Sequence, residues 1–174
     1  MSSKKNDGVL YTMIPKLQYA IYLAILLWLL SACASNTGAD PTPPAIHYGE
    51  DVCELCNMIV SEADYAAAYV TGDGRGHKFD DIGDMFKSHA KFQEDVRAFF
   101  VHDYQDKHWI RAETAHFVQS DSLITPMLSG LAAFESPEVA AAFATENQGQ
   151  VLSFDGLLAH YRSSATSSSP MHGH

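Results

Sequence analysis

The sequence predicts an α+β fold: two related small ββαβ units packed in one compact domain, residues 48–162. Two observations carry this. The same order of strand-like and helix-like runs occurs twice along the chain, and the junction before each helix repeats, with Phe79-Asp80 before the first and Phe134-Glu135 before the second. A third observation sets the limits. Residues 33–47 and 163–174 are rich in Pro, Ser, Thr and Gly and poor in large apolar side chains, which marks a flexible linker and a disordered tail around the folded part.

The first unit opens at Tyr65–Val70, whose composition suits a strand. Gly72-Asp73-Gly74-Arg75-Gly76 is a turn, and His77–Phe79 begins a second strand. Asp80 and Asp81 open a helical stretch that runs through Phe86 to about Phe92, with acids at the favourable positive end. Val96–Tyr104 is a strong strand. In the second unit Ala115–Val118 and Leu131–Phe134 read as strands. Ser136-Pro137-Glu138 starts a helix, with Ser as cap and Pro in the first turn; the helix ends at Asn147, just before Gly149. Val151–Phe154 closes the unit, and Asp155–Tyr161 adds a short terminal helix.

Residues 1–32 read as a leader. Lys4, Lys5 and Lys16 precede an apolar run from Leu17 to Leu30, shorter than the roughly 20 residues a membrane span needs. Leu30-Ser31-Ala32-Cys33 resembles the lipobox of bacterial lipoproteins, in which the cysteine is acylated and becomes the first residue. Cys33 is therefore the expected lipidation site and membrane anchor. Ala34 and Ser35 are not an acidic retention signal, which favours the outer membrane where a cell has two. The chain from Cys33 keeps 8 of the 11 Lys and Arg and 20 of the 21 Asp and Glu, a net charge of −12. So acidic a protein is repelled by nucleic acid and anionic lipid, and nucleic acid is excluded as a partner.

With Cys33 assigned to lipid, only Cys53 and Cys56 remain, in DVCELCNMIV. A bridge between them would close a tiny loop and restrict the unfolded chain little, so stability is a weak reason for the pair. Met58 follows Cys56 by two, which places both side chains on one side of an extended chain. Thiolate and thioether are soft donors that together select Cu(I). Met127, in the loop-like LITPMLSG, is a further candidate ligand, whereas Met85 fits the helical period beside Ile82 and Phe86 and reads as core. Other readings of the pair stand beside this one: a periplasmic thiol–disulfide oxidoreductase using Cys53 and Cys56, a plain disulfide, or a zinc site that recruits His77 or His47. C-type haem attachment fails because Asn57, not His, follows Cys56.

His77, His89, His102, His108 and His116 are scattered and read singly as satisfied core or surface residues, although Met171-His172-Gly173-His174 could capture a metal. Asp80, Asp81 and Asp84 read as ordinary acids at a helix start. No nucleophile elbow or phosphate loop is present, and an enzyme is not expected.

The run Cys56-Asn57-Met58 resembles the Cys-Gly-Met signature of the NosL family, the nitrous oxide reductase accessory lipoproteins. The lipobox, Phe79 to Met85, Val101-His102-Asp103 before Trp109-Ile110, Ala115 to Val118, Met127 and Gly149 before Val151-Leu152 are similar to that family in order and spacing. The resemblance spans about residues 50–158. It implies two ββαβ units and a periplasmic protein that binds Cu(I) and delivers it to nitrous oxide reductase, or to another periplasmic copper enzyme. It maps the family's ligands onto Cys56 and Met127, with Met58 adjacent and Cys53 a ligand or redox partner. Asn57 stands where the family has glycine; Asn tolerates positive φ best after Gly.

Overall fold

A computed structural model describes residues 40–167. The leader 1–32, Cys33 and the tail from residue 168 lie outside the described residues. The chain divides after Asp40, and every strand and helix named here belongs to the unit that begins at Pro41.

The two ββαβ units are present. In the first, β1 (Ala67–Thr71) is central, flanked by β2 (Gly76–Phe79) and β3 (Val96–His102), with α1 (Ile82–Phe92) connecting β2 to β3. In the second, β5 (His116–Gln119) is central, flanked by β6 (Leu131–Phe134) and β7 (Gln150–Ser153), with α2 (Pro137–Glu146) connecting them. All pairings are antiparallel. In both units the first strand pairs on one side with the second and on the other with the third. The sequence reading did not anticipate β4 (Trp109–Arg111), which extends the first sheet beyond β3, nor the 3-10 turn Ala112–Thr114. Three residues are too few to display an alternating pattern.

Strand alternation assigns the faces. Tyr69, Phe79, Phe99 and Val101 from the first sheet and Phe117, Leu131 and Ala133 from the second enter one continuous core. Val118, Ala132 and Phe134, on the other face of the second sheet, pack with Ala140 and Ala144 of α2. From α1, Ile82, Met85 and Phe86 are buried in the main core, so Met85 is a packing residue as its spacing implied. Phe86 joins the parts: its ring lies 5.8 Å from Phe117, 5.4 Å from Phe154 and 5.6 Å from Tyr161. Truncating so buried an aromatic typically costs about 3–5 kcal/mol.

Several boundaries differ from the sequence reading. Strand β1 begins at Ala67 rather than Tyr65, and β3 ends at His102 because Asp103 turns the chain by accepting the amides of Gln105 and Asp106. Phe154 opens a helix rather than closing a strand. That helix, α3 (Phe154–Ser167), runs past Tyr161 into the stretch expected to be disordered from Ser163. The hydroxyls of Ser163, Ser164, Thr166 and Ser167 donate to carbonyls three or four residues back, so they are satisfied within the helix. The linker expected to reach residue 47 also ends early. Ile46 packs on the main core, and a Cβ at Gly76 would lie 2.7 Å from Cβ of Pro44. After α2 the left-handed position is taken by Gln148 (φ 52°) rather than by Gly149, whose N–H closes the helix onto the Ala144 carbonyl.

Gly130 is one place where glycine is required. Its φ is +65°, and an added Cβ would sit 2.5 Å from the Ser120 carbonyl oxygen, which is backbone and cannot yield cheaply. Gly130→Ala should lower unfolding free energy by about 1–3 kcal/mol, measured by urea denaturation. An unchanged midpoint would show that the β5–β6 loop is not fixed as described.

Candidate metal centre

The sulfur pair sits in a loop closed by its own backbone. Gly49 N–H donates to the Val60 carbonyl, Val60 N–H to Asp51, and Cys53 N–H to Met58, around a bridge between Val52 and Ile59. Inside it Asn57 N–H returns to the Cys53 carbonyl at 3.0 Å, and Asn57 itself is left-handed, with φ 62°, where the chain turns back to bring the Met58 carbonyl to Cys53 N–H. Asn tolerates this conformation best after Gly. Buried Cys53 and Val60 root the loop in the core. Strand β2 holds its outer side: Glu54 N–H donates to the Lys78 carbonyl, the Glu54 carboxylate meets His77 Nδ1 at 2.6 Å, and Lys78 Nζ meets Asp51 at 2.7 Å.

Two carboxylates face the sulfurs. Cys56 Sγ lies 3.3 Å from Asp80 Oδ1, and Cys53 Sγ lies 3.8 Å from Asp84 Oδ2. One donor atom from each of Cys53, Cys56, Asp80 and Asp84 lies within 4.8 Å of the others. Both cysteines are free thiols. Asp84 is divided between roles, since its other oxygen takes the Lys87 ammonium at 3.1 Å.

Asp84 stands in the first turn of α1 and Asp81 at its cap, as read, but only Asp81 acts as a cap. Its Oδ1 caps α1 by accepting Gly83 N–H at 2.7 Å, while Oδ2 accepts the Thr125 hydroxyl at 2.6 Å and Met127 N–H at 3.0 Å. Asp80 and Asp84 are buried and turned to the thiols.

The methionines are placed differently from the cysteines. Met58 enters the loop through its carbonyl, and its side chain is 53% exposed at the rim. Met127 is partly buried, brought beside the helix start by its own amide on Asp81. No histidine belongs to the sulfur cluster among the described residues. His102 is held between the Tyr48 hydroxyl and the Lys107 carbonyl and stacks on Trp109, and burial pushes its pKa down. A second group, Asp103, Asp106 and His108, lies on a turn. There Asp103 has both oxygens engaged by the amides of Gln105, Asp106 and Glu135, which is turn structure.

Residues 44–161 match the family model described as NosL. The chain belongs to the NosL family. Among solved structures, it is similar to the copper chaperone NosL from Shewanella denitrificans, with a TM-score of 0.59 at 23% identity over 67% of this chain and 96% of that one. That likeness bears on the fold, the two ββαβ units described above. No curated protein sequence matches.

The electrostatics of this NosL-family site favour protonated thiols. Burial pushes the Cys56 thiol well above the usual range, with Cys53 and Asp80 beside it acting in the same direction against the amide of Met58. Burial also raises the Cys53 thiol, although the amides of Cys56, Asp80 and Leu55 point at its sulfur and oppose this. A thiol raised in the folded state stabilises the fold fully below the unfolded cysteine pKa of about 8.5 and loses that contribution as pH rises towards the folded value. Reduced protein should therefore lose stability between about pH 8.5 and 9.5, before tyrosine ionisation near 10 intervenes. Urea denaturation across this range should show the slope, and Cys53→Ala/Cys56→Ala should flatten it; an equal slope in both proteins would contradict the assignment.

Proposed function

We propose that this chain is a non-catalytic, membrane-anchored periplasmic Cu(I) carrier that delivers copper to nitrous oxide reductase during its maturation, or to another periplasmic copper enzyme. The observation that carries this is the convergence of two free thiols in one closed loop of a NosL-family domain, one buried and one partly exposed beside Met58. Soft sulfur donors suit Cu(I), and the name of the Shewanella protein, copper chaperone, supports the class of cargo.

Copper is cargo here. Cys56, at the rim, is the donor an incoming protein's ligands reach first, and Cys53 holds from below. Met58 is exposed beside Cys56, and Met127 completes the proposed ligand set from the β5–β6 loop. Binding replaces thiol protons, so affinity falls in acid. A lipid on Cys33 confines the carrier to the membrane surface, preferably the outer membrane, and raises its effective concentration near a client there.

The alternative, a thiol–disulfide oxidoreductase using Cys53 and Cys56, needs an attacking thiol with a lowered pKa. Burial moves both thiols in the opposite direction.

An anaerobic competition titration with a chromophoric Cu(I) chelator tests the proposal. The protein should run from Ala34 to Ser167, which retains α3 whole. About one Cu(I) should bind more tightly than to the chelator, a retention lost in Cys56→Ser and weakened about tenfold in Met127→Ala. Binding at chelator background would remove copper carriage, and equal affinity in Cys56→Ser would move the site elsewhere.

A further inference from the structure

Cu(I) needs only soft donors, yet the two sulfurs are accompanied by two buried carboxylates that a soft-metal site does not use. The loop itself has a particular form. Cys53 N–H donates to the Met58 carbonyl and Asn57 N–H returns to the Cys53 carbonyl, which closes the C-x-x-C segment into one tight turn. Asn57, directly after the second cysteine, takes the left-handed turn. So closed, the turn is a knuckle that brings both sulfurs to one place, as tetrahedral metal sites with C-x-x-C spacing do.

A knuckle supplies half of a tetrahedral shell. Asp80 and Asp84 stand where the other half is required. Bonds of about 2.3 Å to sulfur and 2.0–2.2 Å to oxygen give a tetrahedron with edges of roughly 3.3–3.8 Å. The observed sulfur–oxygen separations are 3.3 and 3.8 Å. The widest separation in the group stays within 4.8 Å, so closure around an ion needs a contraction of only about 1 Å. Lys87 fixes one oxygen of Asp84 and leaves the other turned inward, as an outer partner of a metal ligand does.

We propose that Cys53, Cys56, Asp80 and Asp84 form a four-coordinate site for a borderline divalent cation of the Zn(II) type, a second cargo or occupant of the same cysteine pair. It rests on the cysteines of the copper reading but on different remaining ligands. Cu(I) takes sulfur and leaves the carboxylates aside; a divalent cation takes both carboxylates and leaves the methionines aside. The two ions therefore exclude one another at the cysteines, and the acids set the selectivity between them.

Co(II) is the probe, because its tetrahedral thiolate complexes absorb in the visible. The full chain would be reduced, solubilised in mild detergent and titrated anaerobically, carrying H172A and H174A so that the tail cannot bind. One equivalent should give intense ligand-field bands with sulfur charge transfer, bleached by Zn(II). Asp80→Asn and Asp84→Asn should each weaken Co(II) binding about tenfold or more while leaving Cu(I) affinity within about threefold. Met127→Ala should do the reverse. Folding of each variant is checked by its thermal transition, and Asp80→Glu, which keeps the carboxylate, should restore part of the Co(II) signal. Absence of tetrahedral bands, or bands unchanged in both Asn variants, overturns the proposal. Loss of Cu(I) binding in the parent with Co(II) binding intact would instead overturn the copper reading and leave this one standing.

Discussion

The site depends on one buried carboxylate that is not itself turned to the sulfurs. Asp81 accepts Gly83 N–H, the Thr125 hydroxyl and Met127 N–H, and so ties the start of α1 to the β5–β6 loop of the other unit. Hydrogen bonds to a charged acceptor contribute about 1.5–3 kcal/mol each, and unpairing buried donors costs a similar amount. Its neighbours inherit their direction from it. With Asp81 capping the helix, Asp80 on the strand side and Asp84 one turn later both face Cys56 and Cys53. Gly83 allows the approach: a Cβ there would lie 2.5 Å from Ser129 Cβ.

The two ββαβ units use the same plan for different ends. At the second junction Ser136 caps α2 through a neutral hydroxyl, and no cysteine loop leans on it. At the first, two buried acids and a capping acid crowd one turn, an arrangement that helix stability alone does not require. The second unit contributes instead a loop that carries Met127 to the first unit's helix start. The two units thus meet at the start of α1, across a core that Phe86 makes continuous.

What the sequence displayed was whatever local pattern decides. Strand alternation, the Ser136-Pro137 helix start and the repeated junction made both units legible, and helical spacing put Met85 in the core. The Cys53–Cys56 pair was legible because two thiols three apart have few structural uses. That Asp80 and Asp84 also face the thiols was not legible, because an acid at a helix start looks the same whether it caps the helix or faces a thiol 24 or 31 residues earlier. Strand β4 was missed because three residues take their conformation from the neighbouring strand. Residues 41–46 and 163–167 were assigned by composition, which does not record that Pro44 lies against Gly76, that Ile46 packs on the core, or that the terminal helix continues to Ser167.

The central claim is that the two cysteine sulfurs of this loop hold a soft metal ion. X-ray absorption at the copper edge of anaerobically Cu(I)-loaded protein tests it most directly. The account predicts a first shell of sulfur at about 2.2–2.3 Å that loses amplitude in Cys53→Ser and in Cys56→Ser. A first shell of nitrogen and oxygen, or a sulfur shell indifferent to both substitutions, would contradict it.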